Sequence, residues 1–484
     1  MVVDEVYVAA ALYVGRVSSP DASATTRRAR RAAAEGSRRT ALAWVDEDAV
    51  AGRSPRQDLA ASAGPYAIAH ADLLADDPPR SRPGPGAAVP ALGIPALIVG
   101  GYAAATLLWP LDAVAPTVLP ALVAAPAATA AQPAWPADGA GATAVEGLGA
   151  TAASSTDPAS IASITKLVTA LVVLDEQPLG VGEQGPEYAF TAADRRDYRA
   201  YLADDQSALD VPVDGVLTQY QLLQGVLIGS ANNYADRLVS ELWPNDEVYA
   251  RAANTWLAEH GLDGITVVDP SGIDSDNTAD PASVIALGRA AMSNPVVAEI
   301  VGQRSVDLPG AGLVENTNAL LANPEVVGIK TGSLFGSFNL VAAQDATFDG
   351  TTVRAYAVAL GQPDDDTRHS ATAALLERTL AEVAASPSLS AGTLAGTVTT
   401  AWGAAADIVT DADVRVALWN AQAAQATPEI ELGDARAAGD AVGELVLTGP
   451  LGSATTTLKL ASDIPDPDAW WRLSHPLQLW GLAD

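Results

Sequence analysis

Cysteine is absent from the 484 residues. That excludes a disulfide scaffold, thiol catalysis and cysteine-ligated metal. It does not bar export, because exported proteins need no disulfides. Histidine is scarce: His70, His260, His369 and His475 are all there are, and none stands at metal-ligand spacing from another. No metal or other cofactor is expected, and a Ser-His-Asp triad has few candidates. Lysine is scarcer still, at Lys166, Lys330 and Lys459 only. A lysine inside a patterned stretch of such a chain is less easily an accident.

Positive charge is also in deficit. The formal net charge is -31, yet residues 1–86 hold 11 arginines against 11 acidic residues, so the whole excess follows them. An acidic surface repels phosphate backbones, and no base-reading motif accompanies the Arg27-Arg28-Ala29-Arg30-Arg31 cluster. No nucleic-acid partner is expected.

Composition divides the chain. Residues 1–86 read as an arginine-bearing, partly disordered tail with no apolar core adjoining Met1. Residues 83–111 carry no charge, and 87–111 are long enough for a transmembrane helix, although Pro90 and Pro95 weaken its start. Arg80 and Arg82 on one side, with acidic residues on the other, predict a cytoplasmic N-terminus and an extracellular bulk. Residues 112–136, rich in alanine and proline, read as a linker. Residues 137–385 alternate strand and helix patterns. Strands are expected within 141–153, 264–268, 326–331, 336–343 and 351–360. Helices are expected near 216–246, 247–260, 281–294 and 370–384. The polar stretch 184–214 reads as a surface excursion. Residues 386–484 form a smaller β-rich domain, with short strands expected at 391–400, 414–419 and 442–447.

The stretch Ser163-Ile164-Thr165-Lys166 opens an apolar run, Leu167 to Leu174, that predicts a buried helix. Ser163 and Lys166 share a helix face, and a hydroxyl beside an amine makes a nucleophile with its base if the amine is kept neutral. Two more motifs follow in order: Ser230-Ala231-Asn232, and Lys330-Thr331-Gly332-Ser333 at the end of a strand pattern. Singly, each has a plainer explanation. Ser163 and Ser230 suit helix ends, Lys166 suits a snorkelling side chain, and Lys-Thr-Gly suits a strand before a turn. Together and in this order they carry a pattern: a serine with its lysine, a Ser/Asn pair, then Lys-Thr-Gly.

On those motifs, residues 135–385 resemble the serine-type D-alanyl-D-alanine carboxypeptidases, the low-molecular-weight penicillin-binding proteins, in an actinobacterial style. Asp269-Pro270-Ser271-Gly272-Ile273, Asn277-Thr278-Ala279-Asp280 and Asn316-Thr317-Asn318 extend the likeness. The resemblance implies an α/β (α+β) domain of β-lactamase/transpeptidase-like fold, with an antiparallel sheet flanked by helices. It implies that Ser163, Lys166, Ser230 and Asn232 are catalytic and that Lys330, Thr331, Gly332 and Ser333 bind substrate. The substrate would be the D-alanine end of peptidoglycan pentapeptide stems, with β-lactams as covalent inhibitors. It also implies that Lys330 and burial together keep Lys166 neutral. Asp269 and Asn316 read as structural hydrogen-bonders. Ser333-Leu334-Phe335-Gly336 departs from the family's usual continuation after Lys-Thr-Gly, which bears on substrate preference. Two rivals stand beside this reading. One is a class A-like β-lactamase, against which Ala231 sits where such enzymes carry aspartate. The other is a non-catalytic peptidoglycan-binding protein.

Overall fold

The computed structural model describes residues 88–483. Of the two units into which the chain divides, residues 1–88 and 89–484, the second is therefore the one described. The expected cytoplasmic tail, residues 1–86, lies outside the described residues.

Five antiparallel strands form the main sheet, in the order Val326–Leu334, Ser337–Phe348, Thr351–Gln362, Ala140–Val145, Leu148–Ala153. Side chains alternate between its faces, as a strand requires. On Ser337–Phe348, Val341 and Ala343 join the larger core on one side, while Leu340 and Ala342 face the other. Helix Asp365–Ala384 covers the second face with Leu375, Leu376 and Leu380. The first face carries the helical layer built around Thr165–Glu176. Every residue of that central helix from Thr165 to Leu174 is buried, the polar Thr165, Lys166 and Thr169 included, as suits a helix apolar on most of its surface. Helices Gln219–Leu227, Asn232–Ser240, Asp246–Glu259 and Pro281–Ser293 pack around it.

Two sequence expectations change here. The helical pattern 216–246 is broken: strand Val216–Thr218 and helix Gln219–Leu227 precede a turn, and a second helix begins at Asn232. At the turn Ser230 takes φ 58°, a left-handed conformation that no helix tolerates. Apolar periodicity runs straight through this break because both helices face the same core. The segment 414–419 makes no strand. Its one ladder contact is the bridge between Leu389 and Val414, and the segment instead delivers Trp419 into the second core beside Leu375, Leu376 and Val383. There the indole N–H donates to Glu382, 3.0 Å away, which ties the two domains together.

The smaller domain is a six-stranded antiparallel sheet, ordered Thr117–Pro120, Leu394–Thr399, Ala405–Thr410, Gly452–Leu460, Ala441–Gly449, Gln425–Ile430. Its first strand comes from residues 112–136, read from sequence as linker. Leu119 pairs with Thr397 and Val123 is buried in this domain's core, so the segment adds a strand as well as connecting domains. Leu445, Leu447 and Leu458 are fully buried in that core. Leu458→Ala is expected to destabilise the protein by about 2–5 kcal/mol through lost burial and the cavity left behind. A urea titration checks this, and an unchanged midpoint would contradict the packing described.

An apolar helix runs from Ala88 to Leu107. Among the described residues no single helix is long and apolar enough to cross a membrane, and the apolar stretch described within this one is Gly93–Leu107. Of the expected transmembrane helix 87–111, residues 88–107 are helical. Helices Pro281–Ser293 and Pro295–Val301, bent by 103°, have together the composition of a span. Their apolar faces are already spent in the main core, through Val284, Ile285, Leu287, Val297 and Ile300.

Candidate active site

The central helix begins with a short 3-10 turn, Ala162–Ile164, so Ser163 sits at its mouth and Lys166 in its first α-helical turn. Backbone N–H groups in such a first turn have no partner within the helix. Lys166 is completely buried, and its ammonium nitrogen lies 2.9 Å from Ser163 Oγ, 2.7 Å from Asn232 Oδ1 and 2.5 Å from the Ser271 carbonyl oxygen. Burial pulls the Lys166 pKa down to about 7, partly opposed by Asp236 and Asp269. A buried amine of that pKa is neutral in about half the molecules at neutral pH, as a base must be to accept a hydroxyl proton.

Asn232 is the first residue of its helix and is turned by two contacts from the 184–214 excursion. Its amide nitrogen donates to Gln206 Oε1 at 3.0 Å, and its backbone N–H donates to the Ser207 carbonyl at 2.8 Å. With the amide N–H committed to Gln206, the carbonyl oxygen is left for Lys166. Ser230, two residues before, is almost fully buried, and its side chain makes no hydrogen bond among the described residues.

Val326–Leu334 is an edge strand, so one of its two sides has no strand partner. That side passes the mouth of the central helix. A methyl group built on Gly332 would stand 2.7 Å from the Ile161 carbonyl oxygen and 3.2 Å from the backbone nitrogens of Ser163 and Ile164. Only glycine permits that approach. Lys330 and Thr331 are buried, and the Thr331 hydroxyl contacts that of Thr317 at 2.5 Å. Lys330 Nζ donates to the Thr331 carbonyl at 3.2 Å. Ser333 is exposed, and its hydroxyl accepts from Arg368 at 2.8 Å. Arg368, on the helix behind, also donates to the Gly332 carbonyl at 3.1 Å and lies over the Phe338 ring.

The three sequence motifs therefore meet at one helix mouth beside one open strand edge. Residues 150–363 match the sequence profile of peptidase S11, described as D-alanyl-D-alanine carboxypeptidase. This central domain is S11-like. The S11 domain is also similar to D-alanyl-D-alanine carboxypeptidase DacB2 of Mycobacterium tuberculosis. That relative is 32% identical over 178 residues, which are 35% of this chain and 57% of the relative. The chain thus spans little more than half the length of the curated relative it matches. Among solved structures, the Streptomyces K15 DD-transpeptidase is 23% identical, covering 51% of this chain and 97% of its own, with a TM-score of 0.45. Penicillin binding protein 5 from Haemophilus influenzae is 18% identical, covering 69% and 99%, with a TM-score of 0.47.

Electrostatics in the S11 domain refine one expectation. The low pKa of Lys166 comes first from burial. Lys330 is itself pushed well below the ordinary lysine range, by burial, by repulsion from Lys166 and by Arg368. Repulsion from Lys166 thus helps to lower Lys330, whereas Lys166 itself is set by burial against the opposing pull of Asp236 and Asp269.

Several residues here were not read from sequence as site residues. Gln206 was one polar residue among many in the excursion. Arg368 sits 38 positions after Lys330, with no local pattern to link them. The Asp269 loop was read as structural, and its geometry agrees. Burial raises the Asp269 carboxyl, but hydrogen bonds from the Ser271 hydroxyl and the N–H groups of Asp274, Ser271 and Gly272 outweigh it and hold the carboxyl low. That anchoring points the Ser271 carbonyl at Lys166 and seats Gly272 against Ala162. Asn316 likewise binds backbone, donating to the Gln303 carbonyl at 2.9 Å.

Proposed function

We propose that this protein is a serine D-alanyl-D-alanine carboxypeptidase acting on peptidoglycan stem peptides. The observation that carries the reading is the Lys166 amine held between Ser163 Oγ and Asn232 Oδ1 beside the edge strand that bears Lys330-Thr331-Gly332-Ser333. An extended peptide lies along that edge as an added strand. Its terminal carboxylate meets the positive potential of Lys330 and Arg368 and the Thr331 hydroxyl. Ser163 Oγ attacks the carbonyl between the two D-alanines as its proton passes to Lys166. Backbone N–H groups of Ser163 and Ser333 hold the oxyanion. The carbon–nitrogen bond breaks, the leaving D-alanine amine takes a proton relayed by Ser230, and an ester remains on Ser163. Water hydrolyses that ester, returning the hydroxyl and releasing the shortened stem. A β-lactam forms the same ester from its strained amide.

This reading is favoured over a class A-like β-lactamase because Ala231 stands where such enzymes carry aspartate. It is favoured over a mere binder because the base is placed and near-neutral in pKa. The test is to incubate the protein with a peptide ending in D-Ala-D-Ala and follow free D-alanine. Release supports the proposal, and neither release nor a penicillin adduct would sink it. Localisation is part of the same proposal: helix Ala88–Leu107 anchors the chain in the cell membrane, N-terminus inside and S11 domain outside.

Gln206 gives a separate check. Gln206→Ala frees the Asn232 amide to rotate, and penicillin acylation is expected to slow about tenfold. Gln206→Glu keeps an acceptor and should stay closer to the parent rate. Equal rates in all three proteins would remove Gln206 from the site.

A further inference from the structure

Helix Ala88–Leu107 leaves a long apolar stretch uncovered. Every residue from Ile94 to Tyr102 is exposed, with Leu97 77% and Val99 66% accessible. These nine residues make about two and a half turns, so exposure runs around the whole helix. A single docked partner covers one face of such a helix, whereas the acyl chains of a bilayer surround all of them. The far end of the helix is different. Thr106 is fully buried, the Tyr102 hydroxyl donates to the Leu473 carbonyl at 2.6 Å, and Arg472 donates to the Trp109 carbonyl at 2.8 Å. The Trp109 and Trp480 rings meet edge to face at 6.1 Å. What clamps this end is a pair of short helices, Ala469–Ser474 and Pro476–Leu479. Trp471 in turn packs edge to face on Trp402 at 5.8 Å, which links the clamp to the β-rich domain.

Five of the ten tryptophans, Trp109, Trp402, Trp470, Trp471 and Trp480, gather at this one place. Trp470 is 76% exposed, and Leu108, Leu477 and Leu482 are exposed beside the clamp. Tryptophan with tyrosine is the composition of a membrane–water boundary, where an apolar ring and a polar N–H suit both phases. Asp466 and Asp468 flank the clamp and Arg472 is its one arginine, so attraction to anionic lipid is not what drives it.

We propose that residues 469–482 form a collar around the exit of helix Ala88–Leu107 and seat Trp470, Leu477 and Leu482 in the headgroup layer of a lipid bilayer. The collar rests on the proposal that this helix is the membrane anchor, and it is independent of the catalytic reading. It fixes the β-rich domain against the membrane through Trp402 and Trp471, rather than leaving it on a free tether.

The absence of cysteine makes the test direct. The full chain, as Leu477→Cys or as Asp434→Cys, is labelled with a polarity-sensitive fluorophore and mixed with phosphatidylcholine vesicles. Asp434 is exposed on a loop of the β-rich domain. In protein that floats with the vesicles, the label at 477 should shift to the blue and be quenched by aqueous iodide about threefold less than the label at 434. Flotation with equal quenching at both positions would overturn the collar and leave the anchor standing. Failure to float would overturn the anchor and the collar with it.

Discussion

Ser163→Ala should abolish both D-alanine release and penicillin labelling, by a factor on the order of 10⁴ or more. The expectation follows from position. Among the described residues, Ser163 is the only hydroxyl within hydrogen-bonding distance of Lys166, and the edge strand leaves no room beside it for anything larger than Gly332. Water cannot replace the serine, since the ester intermediate exists only on Oγ. The fold should survive, because the change removes one hydrogen bond worth about 1 kcal/mol. The measurements are free D-alanine from a D-Ala-D-Ala peptide, covalent mass gain with penicillin, and circular dichroism. An alanine variant that still takes up penicillin would move the nucleophile elsewhere and dismantle the mechanism.

Lys166→Arg should be nearly as damaging, with acylation falling about 10²–10⁴-fold. The charge is kept, but a guanidinium does not give up its proton and so cannot accept one from Ser163. The pH dependence of the parent protein carries the same point. Lys166 is protonated below about pH 7 and neutral above it. Acylation should therefore rise as pH climbs through about 7 and level off above. Asp236 modulates the curve. Burial raises its carboxyl to about 6, despite the Tyr201 hydroxyl that donates to it, and once ionised it favours the protonated form of Lys166. A stopped-flow titration of penicillin acylation from pH 5 to 9 provides the check. A rate that is flat across neutral pH, or an arginine variant with the parent's rate, would show that Lys166 is not the base.

Much of this site was legible because its chemistry depends on short spacings. Ser163 and Lys166 lie three positions apart, and Lys330 to Ser333 are consecutive on one strand. Local geometry carries such groups together wherever the fold puts them. The buried helix that follows Ser163 was equally plain, since its apolar run leaves no polar face. The break at Ser230 was not, because helices on both sides present apolar residues to one core and periodicity does not report a turn between them. Gln206 and Arg368 were hidden for another reason. Each acts on a residue far away in sequence, Asn232 and Ser333, and nothing near either one marks the contact.

The sequence by itself determined the Ser163–Lys166 pairing proposed as nucleophile and base, the apolar helix that carries it and the change of composition near residue 386. Those depend on residue type and on spacings of a few positions. Tertiary structure alone decided that Asn232 faces Lys166 with its oxygen, that Gly332 lies against the nucleophile's backbone, and that the proline-rich segment gives an edge strand to the second sheet. It also decided the basicity of Lys166. The desolvation that brings a lysine to about 7 comes from the packed core around it, and the oxygens that accept from its nitrogen, on Asn232 and Ser271, belong to residues 66 and 105 positions away. Burial is a property of the packed chain, and no local pattern of residues contains it.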